Sequence, residues 1–191
     1  MIDVNEIRRG IYGGYRLCRL DSHGLAYMNA TEAGFWRSFL SAVLIAPVYF
    51  VTVFLDLDLS TVDAGVPRIL LLESCAYVVL VFAYPLAMHY LSEWMGRQQQ
   101  YFLYIVAYNW ASVTLAALEL PVDILSASGL LPGELGGTLE IAVRVVIFVI
   151  LWFIARAGLG IQPLVAVGLV ALDFAITLAV DTVVDLRLGI A

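Results

Sequence analysis

The chain has 191 residues, 62% of them hydrophobic and 14% charged, whereas soluble domains run at roughly 45–50% apolar and about 25% charged. Sixteen acidic residues stand against ten basic ones, all of them Arg, for a net charge of -6; that balance lacks the basic face of a nucleic-acid binder. The two cysteines, Cys18 and Cys75, exclude a disulfide framework and a Cys-x-x-Cys metal or redox motif. What remains is an all-α polytopic membrane protein.

Residues 1–34 form the first unit, an amphipathic segment expected on the cytoplasmic side. On a helical wheel Val4, Ile7, Ile11, Tyr15 and Cys18 share one arc, with Arg8, Arg9, Arg16 and Arg19 on neighbouring and opposite arcs. This suits an interfacial helix whose basic face meets anionic headgroups. Gly10, Gly13 and Gly14 argue against it, each costing about 1 kcal/mol relative to Ala inside a helix. The segment is therefore either a membrane-surface helix or a partly ordered tail whose Arg residues only set topology. Its early charges, Asp3, Glu6, Arg8 and Arg9 among them, leave no apolar stretch for a cleavable signal, so the first span is expected to act as an uncleaved anchor. Asp21 to Gly24 reads as a break. Asn29 with Glu32 resembles a capping box that starts a helix near Ala30, and Trp36 suits an interface anchor.

The run Gly34-Phe35-Trp36-Arg37-Ser38-Phe39, followed by apolar residues to Pro47 and preceded by Arg19, Asp21 and Gly24, resembles the opening of small alphaproteobacterial inner-membrane proteins. The five-span plan with a cytoplasmic N-terminus is similar to that of Yip1-domain proteins. The Asp-Leu-Tyr-Gly-Pro signature of the eukaryotic members is absent from the sequence, so the resemblance implies no trafficking role or partner.

A bilayer span needs about 20 mostly apolar residues. Cutting at Pro, Gly and charged boundaries gives five, at about 35–55, 69–90, 101–120, 139–157 and 163–184, which make residues 35–191 one membrane domain. Short cytoplasmic segments carry an excess of Lys and Arg. With the N-terminus inside, Arg8, Arg9, Arg16, Arg19, Arg37, Arg97 and Arg156 fall on the cytoplasmic side and only Arg68 and Arg187 on the other, where Asp56, Asp58, Asp63, Asp123, Glu134 and Asp185 gather. The expected topology is a multi-pass protein of a bacterial inner membrane, N-terminus cytoplasmic and C-terminus periplasmic.

Charged groups inside spans cost about 2.5–3.5 kcal/mol each on insertion scales. Glu73 in the second span and Arg144 in the fourth fall at similar depth and could pair; Glu140, one turn before Arg144 on the same helix, is an alternative partner, as is snorkelling of Arg144 to the interface. Asp173, near the middle of the fifth span, has no cation at matching depth. It is placed either to hydrogen-bond a neighbouring helix or to take up and release a proton, and Gln162, Ala166 and Thr177 share its face. On the third span Tyr101, Tyr104, Tyr108, Ser112 and Glu119 fall within one arc, with Asn109 at its edge; Glu73, Tyr77 and Tyr84 line up on the second. These polar faces are expected to turn toward one another, as a hydrated cavity or as a dry network. Pro47 and Pro85 are expected to kink their spans.

Other motifs fail. Asp56 to Ser60 opens like a calcium loop, but Thr61 stands where the turn glycine belongs and Pro67 where the bidentate Glu belongs. His89 and Glu93 lack a third metal ligand, no phosphate loop or nucleophile elbow occurs, and Gly129 to Thr138 reads as a loop ended by a Thr138 cap. No catalytic residue, metal or cofactor is implied, although an enzyme with all its groups in the membrane stays open. The primary expectation is a non-enzymatic protein that organises or assists other membrane components, in contact with the bilayer and with other membrane proteins or copies of itself. The alternative is a small permease or proton-coupled carrier using Asp173.

Overall fold

The structure is a computed structural model that describes residues 4–56, 65–128, 130 and 133–189. All regular structure among these is helical: α1 (Val4–Cys18), a 3-10 helix (Ser22–Tyr27), α2 (Glu32–Ser38), α3 (Leu40–Asp56), α4 (Val66–Trp94), α5 (Gln98–Ala127), α6 (Gly133–Leu159) and α7 (Pro163–Leu188). Five stretches are long and apolar enough to cross a membrane: α2 with α3, then α4, α5, α6 and α7. By length and composition this is a multi-pass membrane protein. Residues 57–64 of the calcium-loop stretch, Asp58 and Asp63 among them, lie outside the described residues, as do residues 129, 131 and 132 of the expected fourth-span loop; Pro67 falls in the first turn of α4.

The helices outrun the spans expected from composition. α5 continues through Pro121 to Ala127, and α3 and α4 run through Pro47 and Pro85 without ending. Each proline removes one backbone donor, a loss that helices inside a membrane domain tolerate. α6 begins at Gly133, so Gly136 and Gly137 are helical and Thr138 is no cap: its hydroxyl donates to the Glu134 carbonyl at 2.7 Å. The capping box is also displaced. Thr31 is the N-cap of α2, accepting from the Gly34 amide at 3.0 Å, because Asn29 is already engaged with the Thr31 hydroxyl and with Glu6.

α5 is the hub, touching α1, α2, α3, α4 and α6, while α7 packs on α4 and α6. It is also the least apolar span, with 50% of its most apolar stretch buried against 11% for α7. Protein rather than lipid covers α5, so it can carry Tyr, Asn and Ser where α7 carries Leu and Val. At about 1.5 Å per residue its 30 residues reach about 45 Å, beyond the roughly 30 Å hydrocarbon core.

The glycines of α1 do not prevent the helix; they let it dock. Gly10, Gly13, Gly14 and Leu17 are its buried face. A Cβ on Gly10 would overlap the Trp110 indole, one on Gly14 the backbone at Trp110 and Ala111, and one on Gly13 the backbone of Gly24. Small residues of this kind permit helix backbones to approach closely. The apolar arc expected to face lipid is thus divided: Ile7, Ile11 and Cys18 pack against the main core, whereas Val4 and Tyr15 are exposed. α1 ends in a tight turn, with Leu20 at a φ of 59° and the Asp21 amide bonded back to the Arg16 carbonyl.

Candidate functional site

Three groups of polar side chains stand out, and the spans place each of them. The first lies where α4, α5 and α7 meet. The Tyr108 hydroxyl donates to both Asp173 oxygens, at 3.0 Å each. Tyr84 and Tyr104 share a hydrogen bond between their hydroxyls, and the Tyr84 ring lies 5.0 Å from that of Tyr108. One helical turn toward the start of α5, Tyr101 donates to the Pro85 carbonyl at 2.9 Å. Of the three polar faces, Tyr84, Asp173 and the Tyr101, Tyr104 and Tyr108 part of the α5 stripe meet here, whereas Glu119 of that stripe does not. Ser112 and Thr177 turn back onto their own helices, donating to the Tyr108 and Asp173 carbonyls.

The rest of the α4 stripe points elsewhere. Tyr77 donates to the Ala42 carbonyl, and Glu73 accepts from Tyr49 of α3 at 2.8 Å. Glu73 does not pair with Arg144. Arg144 reaches across to Glu119 of α5 at 3.6 Å, because antiparallel packing sets Glu119 opposite it while Glu73 faces α3. Glu119 and Arg144, with Tyr49, Thr52 and Asp123, line a cavity of about 220 Å³ among α3, α5 and α6. Asp181 of α7 interacts electrostatically with both Glu73 and Arg144. This is the second group.

The third is α1 itself. Arg8, Arg9 and Arg19 are exposed, and Arg16 is tied to Asp21. The Asp21 carboxyl also accepts from the His23 backbone amide at 3.0 Å and meets the His23 ring at 2.9 Å. The His23 and Arg16 contacts hold the Asp21 carboxyl well below the usual range, at about 2. Burial is the main cause pushing the Cys18 thiol up to about 11, and its sulfur lies 3.7 Å from the Ala111 carbonyl.

No family model, curated protein or solved structure matches this chain. The chemistry must therefore be read from these groups alone. Among the described residues no three His, Cys, Asp or Glu side chains are grouped so as to hold a metal ion. Asp173 does not line the Glu119–Arg144 cavity; its carboxyl accepts from one phenol, beside two phenols bonded to each other.

Sequence reasoning missed Tyr49, Ser38 and Trp110. Ser38 is fully buried and accepts from the Asn109 amide at 2.8 Å, which fixes α2 against α5. Ser38 sits at the α2–α3 junction, where apolar runs conceal it. Tyr49 is one of few hydroxyls in the first span, and that rarity was the available signal. Trp110 carried none, since a buried indole opposite two glycines far earlier in the chain has no periodicity in common with them.

Proposed function

We propose that this is a non-enzymatic, multi-pass protein of a bacterial inner membrane that organises or assists other membrane components, with its N-terminus cytoplasmic and its C-terminus periplasmic. The observation that carries the reading is the docking of α1. Its glycine face is covered by α5 and the 3-10 helix, so Arg8, Arg9 and Arg19 are presented outward on a helix fixed to the spans rather than on a free tail. Such a surface suits anionic headgroups or acidic segments of neighbouring proteins. The topology draws support from the two ends of the bundle. Arg97, beside the α6–α7 turn at Gly160, and Arg156 of the last turn of α6 lie at the end the Arg bias reads as cytoplasmic, whereas Arg68, which donates to the Arg187 carbonyl at 2.8 Å, lies at the opposite end.

The Tyr108–Asp173 contact favours one second reading, a proton-coupled carrier in which Asp173 takes up and releases the proton. Asp173→Asn separates the two. In the organising protein Asn still accepts from Tyr108, so yield and melting temperature stay near wild type, because interhelical hydrogen bonds in membranes average only about 0.6 kcal/mol. Purification in mild detergent is then expected to recover a stoichiometric membrane partner with wild type and variant alike. A lone homo-oligomer, whose proton-coupled uptake in vesicles is abolished by Asp173→Asn while folding is intact, would overturn the organising role.

A further inference from the structure

Between the first two turns of α1 and the segment leading into α2 lies a polar hollow of about 490 Å³, within the size range of small-molecule sites. Asn5, Glu6 and Arg9 form one wall; Tyr27, Asn29 and Arg37 lie on the other. The one acid among them is already satisfied. Glu6 accepts from Arg37 at 2.6 Å through one oxygen and from the Asn29 amide at 2.7 Å through the other. Arg37 and Glu6 cancel, which leaves Arg9 as net charge. Arg9 is exposed, lines the hollow, and has no ion pair among the described residues.

We propose that this hollow is a binding site for a phosphate-bearing anion, with the Arg9 guanidinium as its charged donor and the Glu6–Arg37–Asn29 network as the scaffold that holds the walls apart. A planar guanidinium offers paired donors to two phosphate oxygens, which a point charge does not. Two of the lining residues have exposed apolar neighbours in sequence, Val4 (76% exposed) before Asn5 on α1 and Trp36 (61% exposed) before Arg37 on α2. Exposed Trp and aliphatic side chains are the chemistry of the membrane–water boundary. A phosphodiester headgroup and free phosphate present the same oxygens, and such neighbours suit the headgroup. The site shares Arg9 with the outward surface of the organising reading, but its test does not depend on a protein partner or on Asp173.

The test uses the full chain in mild detergent. Native mass spectrometry counts retained phosphatidylglycerol against phosphatidylcholine, and a thermal shift series is run with inorganic phosphate. The wild type is expected to retain phosphatidylglycerol saturably, with apparent affinity falling at least fivefold in Arg9→Gln and by less than twofold in Arg8→Gln, whose side chain does not line the hollow. Arg9→Lys should fall between the two. Slow Cys18 alkylation checks that α1 stays docked in every variant. A phosphate-induced shift with the same dependence on Arg9, and no lipid preference, assigns the site to the free anion. Equal losses in Arg8→Gln and Arg9→Gln would show diffuse surface charge and overturn the proposal, as would the absence of any Arg9-dependent binding of either probe.

Discussion

At the scale of single residues, the side chains that could be found from sequence were those whose partners lie on faces with a common helical period. Asp173, Tyr108 and Tyr84 belong to such faces, and the structure joins them. Glu73 and Arg144 were legible as charges inside spans, but their partners were not: depth along a span is readable from residue count, whereas which neighbour a helix face meets depends on packing angles that no single helix encodes. Asp21 gives a prediction at this scale. Its carboxyl is held at about 2, against an unfolded value near 3.9. A depressed acid contributes stability that is fully present above its unfolded value and is lost as pH falls through the folded one. Limited proteolysis between α1 and α2 should therefore accelerate as pH drops from about 4 to 2. Asp21→Asn should be cleaved faster already at neutral pH and should lose that acid dependence. Because the pair is partly exposed, screening keeps the effect local to this turn.

At the scale of elements, helix α1 shows why propensity misleads. Three glycines lower the intrinsic helicity of an isolated segment, yet packing outweighs them, and the same glycines form the contacts, Gly10 and Gly14 with Trp110 and Gly13 with Gly24. Gly14→Leu should therefore undock the helix rather than strengthen it, since forcing extra carbons into a closed contact costs about 1–3 kcal/mol. Maleimide labelling of Cys18 in a Cys75→Ser background reports the result. With its thiol pushed up to about 11 by burial, Cys18 should react slowly at pH 8. Release to an ordinary thiol would raise the thiolate fraction on the order of a hundredfold. Unchanged labelling in Gly14→Leu would mean that α1 does not depend on this seat.

At the scale of the whole molecule, the number and order of the spans were fully legible, because a run of about 20 apolar residues matches the hydrocarbon thickness and exceeds what a small soluble core can bury. Their ends were not, since helices continue beyond the hydrocarbon wherever protein covers them, as on α5. The topology predicts that a reporter active only in the periplasm is active when fused at Ala191 and silent at Gln99; the reverse pattern would invert the bundle. The seat of α1 also has a consequence for how the protein is made. Gly14 leaves the ribosome 96 residues before Trp110, the residue it packs against. At about 5–20 residues per second, that is a wait of about 5–20 s. During it Gly10 and Gly14 of the glycine face lack the partner they have in the finished chain. Completion of α5 is thus the event that closes the N-terminal segment onto the bundle, and a chain truncated in the α4–α5 turn would leave that face permanently open to chaperones, proteases or the bilayer surface.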